Sequence, residues 1–237
     1  MADYVTAHFY NPAPGRDGAL TETFNGGHLQ AVKRLRGFKS AQRFEITPEQ
    51  IMPGIAQPWR YMSLYEFSFE DPAIDLPALA PHLADLRDAG LLAKDDAERR
   101  HSYEMYHPWK FSKNYKSGPL THLMLLLANF TPGREAEYHA WYDDQHSVEV
   151  GEADGFVGMR RGGLSPLQVP PVSYCPGSQL ILGGLQTTDD HLGFVVKDFA
   201  ARAGGVSPSG VVWGDRSTSA SVARTVHLFR SIAGPFS

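Results

Sequence analysis

A chain of 237 residues with 42% hydrophobic and 20% charged side chains can fill a core, and its length suits one large domain or two of about 120. The net charge of −4, with no basic cluster beyond Lys33-Arg34-Leu35-Arg36, argues against a nucleic-acid partner. One cysteine, Cys175, excludes an internal disulfide and fits a reducing cytoplasm. The start MADYVTAHFY has no secretory pattern, and the longest apolar run, Leu123 to Ala128, falls far below the roughly 20 residues that cross a bilayer. The expectation is a cytoplasmic protein with no membrane partner.

In chain order, YVTAHFY (4–10) reads as a strand that alternates Tyr4, Thr6, His8 and Tyr10 with Val5, Ala7 and Phe9. A helix is predicted over 17–34, stopped by Gly37, and FKSAQRFEI (38–46) and RYMSLYEFSF (60–69) are strand runs. An amphipathic helix follows over 76–90, then a strand in SYEMYH (102–107) and a linker, KFSKNYKSGP (110–119). The next stretch repeats the order. Strand THLMLLLANF (121–130) leads to a helix over 133–151, with Thr131 as N-cap and Pro132 at its first position. Strands FVGMRRG (156–162) and QLILGGLQ (179–186), a helix over 190–204 and a strand ARTVHLF (223–229) complete it.

The repetition extends to residue identity. Asn11, Pro14, Gly15, Arg16, His28, Val32, Gly37, Phe38 and Arg43 meet Asn129, Pro132, Gly133, Arg134, His146, Val150, Gly155, Phe156 and Arg161 at a constant shift of 118 residues. Such ungapped matching marks a duplicated unit. Each unit has the order βαββαβ, so the fold class is α+β: two tandem ferredoxin-like units pairing their antiparallel sheets into an α+β barrel. The units span 1–109 and 120–237, joined by the linker 110–119.

The stretch HAWYDDQHSVEVGEADGFVGMRR (139–161) carries an aromatic pair, Trp141-Tyr142, then His146, Val150 and Gly155-Phe156 before a strand. This pattern resembles the signature of EthD-like members of the dimeric α+β barrel superfamily. TFNGGHLQAV with KRLRGF (23–38) is a weaker copy, with Thr23 where Trp141 stands. The resemblance implies a lyase, isomerase, polyketide cyclase or cofactor-independent monooxygenase, or a protein without catalysis. It further implies a pocket between sheet and helices lined by His, Tyr and apolar residues, commonly without metal or organic cofactor; some tandem barrels of this kind carry haem.

Helical periodicity puts His139, Tyr142, Asp143, His146 and Val150 on one side of the second unit's first helix, with Val150 as the inward anchor. Three readings of His146 stand in order: a structural, hydrogen-bonded helix histidine; a general acid or base; and a metal ligand with His139 and Asp143. The repeat weakens the last, because Thr21 and Asn25 occupy the matching positions. Asymmetry between the units points to the first, where seven of the ten tyrosines precede residue 120 and strand 4–10 is half polar, whereas 123–127 is wholly apolar. His8, Tyr61 or Tyr65, and His107 are expected to converge on one pocket.

The catalytic candidates are His8, His28, Tyr65, His107 and His146; the candidates for substrate contact are Tyr4, Tyr10, Tyr61, Tyr103, Trp141 and Tyr142. In this reading His8 takes a proton next to a carbonyl and a Tyr hydroxyl stabilises the oxyanion. No cofactor and no metal are expected. The partner is a small, largely apolar, aromatic or polyketide-like carbonyl compound, and a homodimer is compatible with the sequence. One alternative is a binding or structural protein, favoured if apolar side chains fill both sheet faces; the other is a haem protein or cofactor-free monooxygenase. Lys110, Lys113 and Lys116 beside aromatics read first as a surface linker and second as a lid holding a carboxylate. Residues 162–178 form a Pro/Gly-rich loop. Nucleotide, flavin, nicotinamide and serine-hydrolase motifs are absent.

Overall fold

The structure, a computed structural model, describes residues 1–203 and 220–236. The strands are β1 (Ala2–Tyr10), β2 (Phe38–Ile46), β3 (Tyr61–Phe69), β4 (Arg99–Met105), β5 (Lys110–Phe111), β6 (His122–Phe130), β7 (Phe156–Leu164), β8 (Gln179–Leu185) and β9 (Ser221–Phe236). Among the described residues four helices accompany them: α1 (17–32), α2 (72–88), α3 (135–151) and α4 (Asp189–Ala203). All pairings are antiparallel. The order β4-β1-β3-β2-β9-β6-β8-β7 closes into a barrel because β7 also pairs with β4, through Tyr103↔Leu164 and Met105↔Gly162. Closure leaves no open edge among these eight strands.

Alternation along each strand decides which side chains line the barrel. Val5, Ala7 and Phe9 of β1 point inward and meet Phe44, Leu64, Leu125 and Leu182 in an apolar centre. Each of the Val, Leu and Phe side chains contributes about 1.5–3 kcal/mol by leaving water. The other sheet face lies under the helices. Phe24, Leu29 and Val32 of α1 and Leu83 of α2 pack on Tyr65 and Phe67, while Tyr142 and Val150 of α3 and Val195 of α4 pack on Met124 and Ile181. Val150 is the buried anchor that its spacing predicts, at 1% exposure.

Backbone features recur at the 118-residue shift. Gly15 and Gly133 have φ of 71° and 78°, Gly37 and Gly155 have 74° and 75°, and each first helix carries a widened turn, Phe24–His28 and Tyr142–His146. In α1 the turn is broken outright at Gly26, whose φ of −94° and ψ of −107° are not helical.

Three sequence expectations need correction. Helix α3 begins at Glu135, because the Thr131 N–H is held by the Ala220 carbonyl and Thr131 to Arg134 closes a turn, with the Arg134 N–H 3.0 Å from the Thr131 carbonyl. The linker contains β5, which pairs with Met159 and Gly158 of β7. The last strand runs through 16 residues, since it pairs with both β6 and β2. The expected final residue of α4, Gly204, lies outside the described residues.

Candidate active site

Rows of polar side chains cross the helix-facing side of the first half's sheet. The register aligns Arg100, His8, Ser63 and Arg43 across β4, β1, β3 and β2, with Ser102, Thr6, Tyr65 and Ala41 in the next row. Tyr10, Tyr61 and Glu45 form the row on the other side. The alternation that buries Phe9 in the barrel therefore sends His8 and Tyr10 under α1 and α2. His8, Tyr10, Arg43 and Tyr65 are all completely buried there.

His8 Nε2 stands 3.0 Å from Glu98 Oε1, and the same carboxylate receives Arg87 Nε at 2.9 Å and Arg100 Nη2 at 2.7 Å. Burial alone would raise the Glu98 carboxyl, but the hydrogen bond from His8 and the two guanidinium groups outweigh it and hold it at about 2. An ionised carboxylate only accepts, so the His8 proton sits on Nε2 and the lone pair on Nδ1. That Nδ1 is buried and has no partner among the described residues. Burial, only partly offset by Glu98, holds the His8 imidazole below its usual range, so it is neutral at pH 7.

On the side away from Glu98, Tyr10 and Arg43 stand near His8. The Tyr10 ring lies 4.7 Å from the His8 ring, and its hydroxyl is 2.8 Å from Ser63 Oγ and accepts from Arg43 Nε at 3.1 Å. Arg43 lies 4.2 Å from the Tyr61 ring and 5.7 Å from the Phe24 ring, and donates from Nη1 to Thr21 Oγ1 at 2.8 Å. Its Nη2 is a second buried atom without a partner among the described residues. His28 Nε2 is 2.9 Å from the Tyr65 hydroxyl. Burial, with His8 and His82 nearby, lowers His28 to about 4, and burial raises the Tyr65 and Tyr10 hydroxyls, which stay protonated. Tyr61 donates to Asp17 at 2.9 Å; burial and that carboxylate push it up to about 12.

The Pro/Gly-rich loop of the second half seals the β4 side. Gln168 accepts the Ser102 N–H at 2.9 Å and donates to the Ser102 carbonyl at 2.8 Å, and Arg100 Nη1 donates to the Pro170 carbonyl at 3.0 Å. An open cavity of about 750 Å³, lined by Arg87, Lys94, Asp95 and Arg99, reaches Glu98.

His8, His28, Tyr65, Tyr10 and Tyr61 thus come together, but other candidates do not join them. Tyr4 shares the face, with its hydroxyl 3.4 Å from Glu104 at the far end of β1. Tyr103 alternates into the barrel interior, where its hydroxyl is 3.1 Å from Cys175 Sγ, so it is not on the face expected of a substrate contact. The expected convergence fails at His107. It follows Arg100 by seven residues, about 20 Å along an extended chain, and stands 3.9 Å from Asp143. His146 belongs to α3: its ring stacks on Trp141 at 4.2 Å, lies 5.2 Å from Tyr142, and its Nδ1 is 3.3 Å from Glu149.

The second half has no matching polar rows, since Leu126, Ala128, Ile181 and Gly183 stand where the first half has His8, Tyr10, Ser63 and Tyr65. At these positions the second half is apolar where the first is polar, although Arg161, which matches Arg43, is buried there as well. Among the described residues, no three His, Cys, Asp or Glu side chains are grouped to hold a metal ion. A haem does not fit beside His146 either, because Tyr138, Tyr142, Phe156, Met159 and Ile181 fill the space between α3 and the sheet. Sequence reasoning missed Glu98, Arg87, Arg100 and Arg43; only the match of Arg43 with Arg161 hinted at a shared role.

No known family and no curated protein matches the sequence. Solved structures do match the fold. A candidate monooxygenase from Lactobacillus acidophilus superposes with a TM-score of 0.58 at 8% identity, over 98% of this chain and 94% of that one. An anthrone oxidase-like protein gives 0.59 at 12% identity, over 98% and 92%. A mutant chlorite dismutase from Candidatus Nitrospira defluvii gives 0.55 at 8% identity, over 98% and 91%. These structures belong to the dimeric α+β barrel superfamily, and what the chain shares with them is that barrel fold.

Proposed function

We propose that the protein is a cofactor-independent acid/base enzyme of the lyase, isomerase or cyclase type, acting on a small aromatic or polyketide-like carbonyl compound. The observation that carries this reading is the buried His8–Glu98 pair, whose bare Nδ1 faces away from the carboxylate with no partner among the described residues. Nδ1 removes a proton next to the substrate carbonyl, and the Tyr65 hydroxyl and the Arg43 cation stabilise the oxyanion that forms. His28 orients Tyr65. The substrate enters where α1 is broken at Gly26, beside the exposed Asn25 and Gly27. The same carbanion is the species that dioxygen attacks in cofactor-free oxygenation, a second reading supported by likeness to the candidate monooxygenase and the anthrone oxidase-like protein. In architecture we read the chain as two tandem, EthD-like ferredoxin-like units, supported by the glycines and widened turns that recur at the 118-residue shift.

The test is deuterium wash-in. Anthrone-type and other aromatic ketones are incubated with the protein in D2O, and loss of the C–H signal next to the carbonyl is followed by proton NMR. Wild type should accelerate exchange for at least one ketone, with His8→Ala slower by about 100-fold or more and Tyr65→Phe by about 10-fold. Equal rates for wild type and His8→Ala would refute the assignment. Oxygen uptake in the same samples separates oxygenation from isomerisation or elimination.

A further inference from the structure

The two halves treat the same buried cation differently. Arg43 and Arg161 match at the 118-residue shift, and each lies between the sheet and the first helix of its half, at 0% and 1% exposure. Each guanidinium also faces the ring at the matching helix position, Arg43 at 5.7 Å from Phe24 and Arg161 at 4.8 Å from Tyr142. In the second half a carboxylate completes the arrangement. Arg161 Nη2 donates to Asp143 Oδ1 at 2.7 Å, and Asp143 belongs to the widened turn of α3. The residue at that place in α1 is Asn25, which is neutral and exposed.

The first half therefore buries a guanidinium without the anion that its twin has. The partners of Arg43 among the described residues are the Tyr10 and Thr21 hydroxyls and the Phe24 and Tyr61 rings, none of them a carboxylate. Its Nη2, the atom that in Arg161 holds Asp143, is the one left over. Neighbouring carboxylates are already committed, Glu98 to Arg87 and Arg100, and Asp17 to Arg60 and Tyr61. A buried cation without an anion is costly, and an enolate would balance it only while the reaction lasts. A ligand with its own carboxylate balances it for as long as it is bound, through a charge-assisted hydrogen bond. The approach is open, because α1 is broken at Gly26, and nothing lies within 4 Å of a Cβ built on Gly26 or Gly27. We infer that the substrate of the His8 centre is an aromatic keto acid, whose carboxylate takes from Arg43 Nη2 the hydrogen bond that Asp143 takes from Arg161. This rests on the acid/base reading of that centre and adds the charge that its substrate carries. Nη2 has two N–H groups, so one remains for the carbonyl oxygen.

The test is calorimetric titration of the full chain at pH 7 with phenylpyruvate and with phenylacetone, in which a methyl group replaces the carboxylate. Phenylpyruvate should bind saturably and at least about ten-fold more tightly. That preference should fall below about three-fold in Arg43→Met. It should fall as far in Asn25→Asp, an exposed substitution that gives α1 the counter-ion of α3 and should raise the thermal midpoint. Absence of saturable phenylpyruvate binding, equal affinity for the two probes, or a preference that survives either substitution would overturn the inference. His8→Ala separates it from the acid/base reading, since this variant should keep the preference while losing the deuterium exchange. Exchange that needs His8, with no preference for the anion, would sink the inference and leave that reading standing. Exchange that ignores His8, with the preference intact, would refute the reading and leave the carboxylate site standing.

Discussion

A histidine sealed inside a protein works as a base only if something fixes which nitrogen carries its proton. Here the fixing group is Glu98, and it also pairs with Arg87 and Arg100. Glu98→Gln keeps the shape but leaves the buried Arg100 without its anion, so a loss of about 3 kcal/mol in urea unfolding at pH 7 is expected. Lys39→Gln, which removes the exposed pair with Asp3, should cost at most about 1 kcal/mol. The folded Glu98 carboxyl titrates at about 2 against an ordinary 4.5. Its contribution is therefore complete above about 4.5 and lost as pH falls through 2, and wild type and variant should converge in acid. His8 was legible in the sequence because it alternates with tyrosines in strand 4–10. Glu98 was not, because it sits in the charge run DDAERR (95–100), which reads as solvated until the fold turns one carboxylate inward.

At the scale of elements, the turns that flank α1 and α3 rest on glycines whose substitution costs should rank by what lies nearby. Gly15, Gly37 and Gly155 all have positive φ, which an L side chain resists by roughly 1–2 kcal/mol. Nothing lies within 4 Å of a Cβ on Gly15, a Cβ on Gly155 would stand 3.0 Å from Val195 Cγ2, and a Cβ on Gly37 would fall on the Ser68 carbonyl oxygen. Thermal unfolding should therefore rank the losses Gly37→Ala, then Gly155→Ala, then Gly15→Ala, the last about 1 kcal/mol; equal losses would mean that φ alone matters. Element order was readable because periodicity is local. The start of α3 was not, since Ala220, distant in sequence, decides where Thr131 sits. Nor was the side taken by Tyr103, because both faces of β4 carry large side chains.

For the whole molecule, burial above all holds three histidines, His28, His101 and His227, at about 4. Unfolded, each titrates near 6.5, so between 6.5 and 4 the unfolded chain binds protons that the fold refuses. Stability should fall as pH drops through that window, at about 1.4 kcal/mol per pKa unit for each group, and these groups should add no slope above pH 7. Urea midpoints at pH 7 and pH 4.5 check this, and equal midpoints would contradict it. Glycines of positive φ and widened helix turns recur at the 118-residue shift read from the sequence. That shift could not foretell that β4 and β7 close the barrel or that the loop after β7 seals the first half's site, since both depend on pairings between the halves.

The most direct measurement is the protonation of His8 itself, by nitrogen-15 NMR of histidine-labelled protein at pH 7, with His8→Ala to assign its signals. The account predicts a neutral ring with hydrogen on Nε2, bonded to Glu98, and a bare Nδ1. An imidazolium, or a ring with its hydrogen on Nδ1, would leave no lone pair on Nδ1 for proton abstraction and would contradict it.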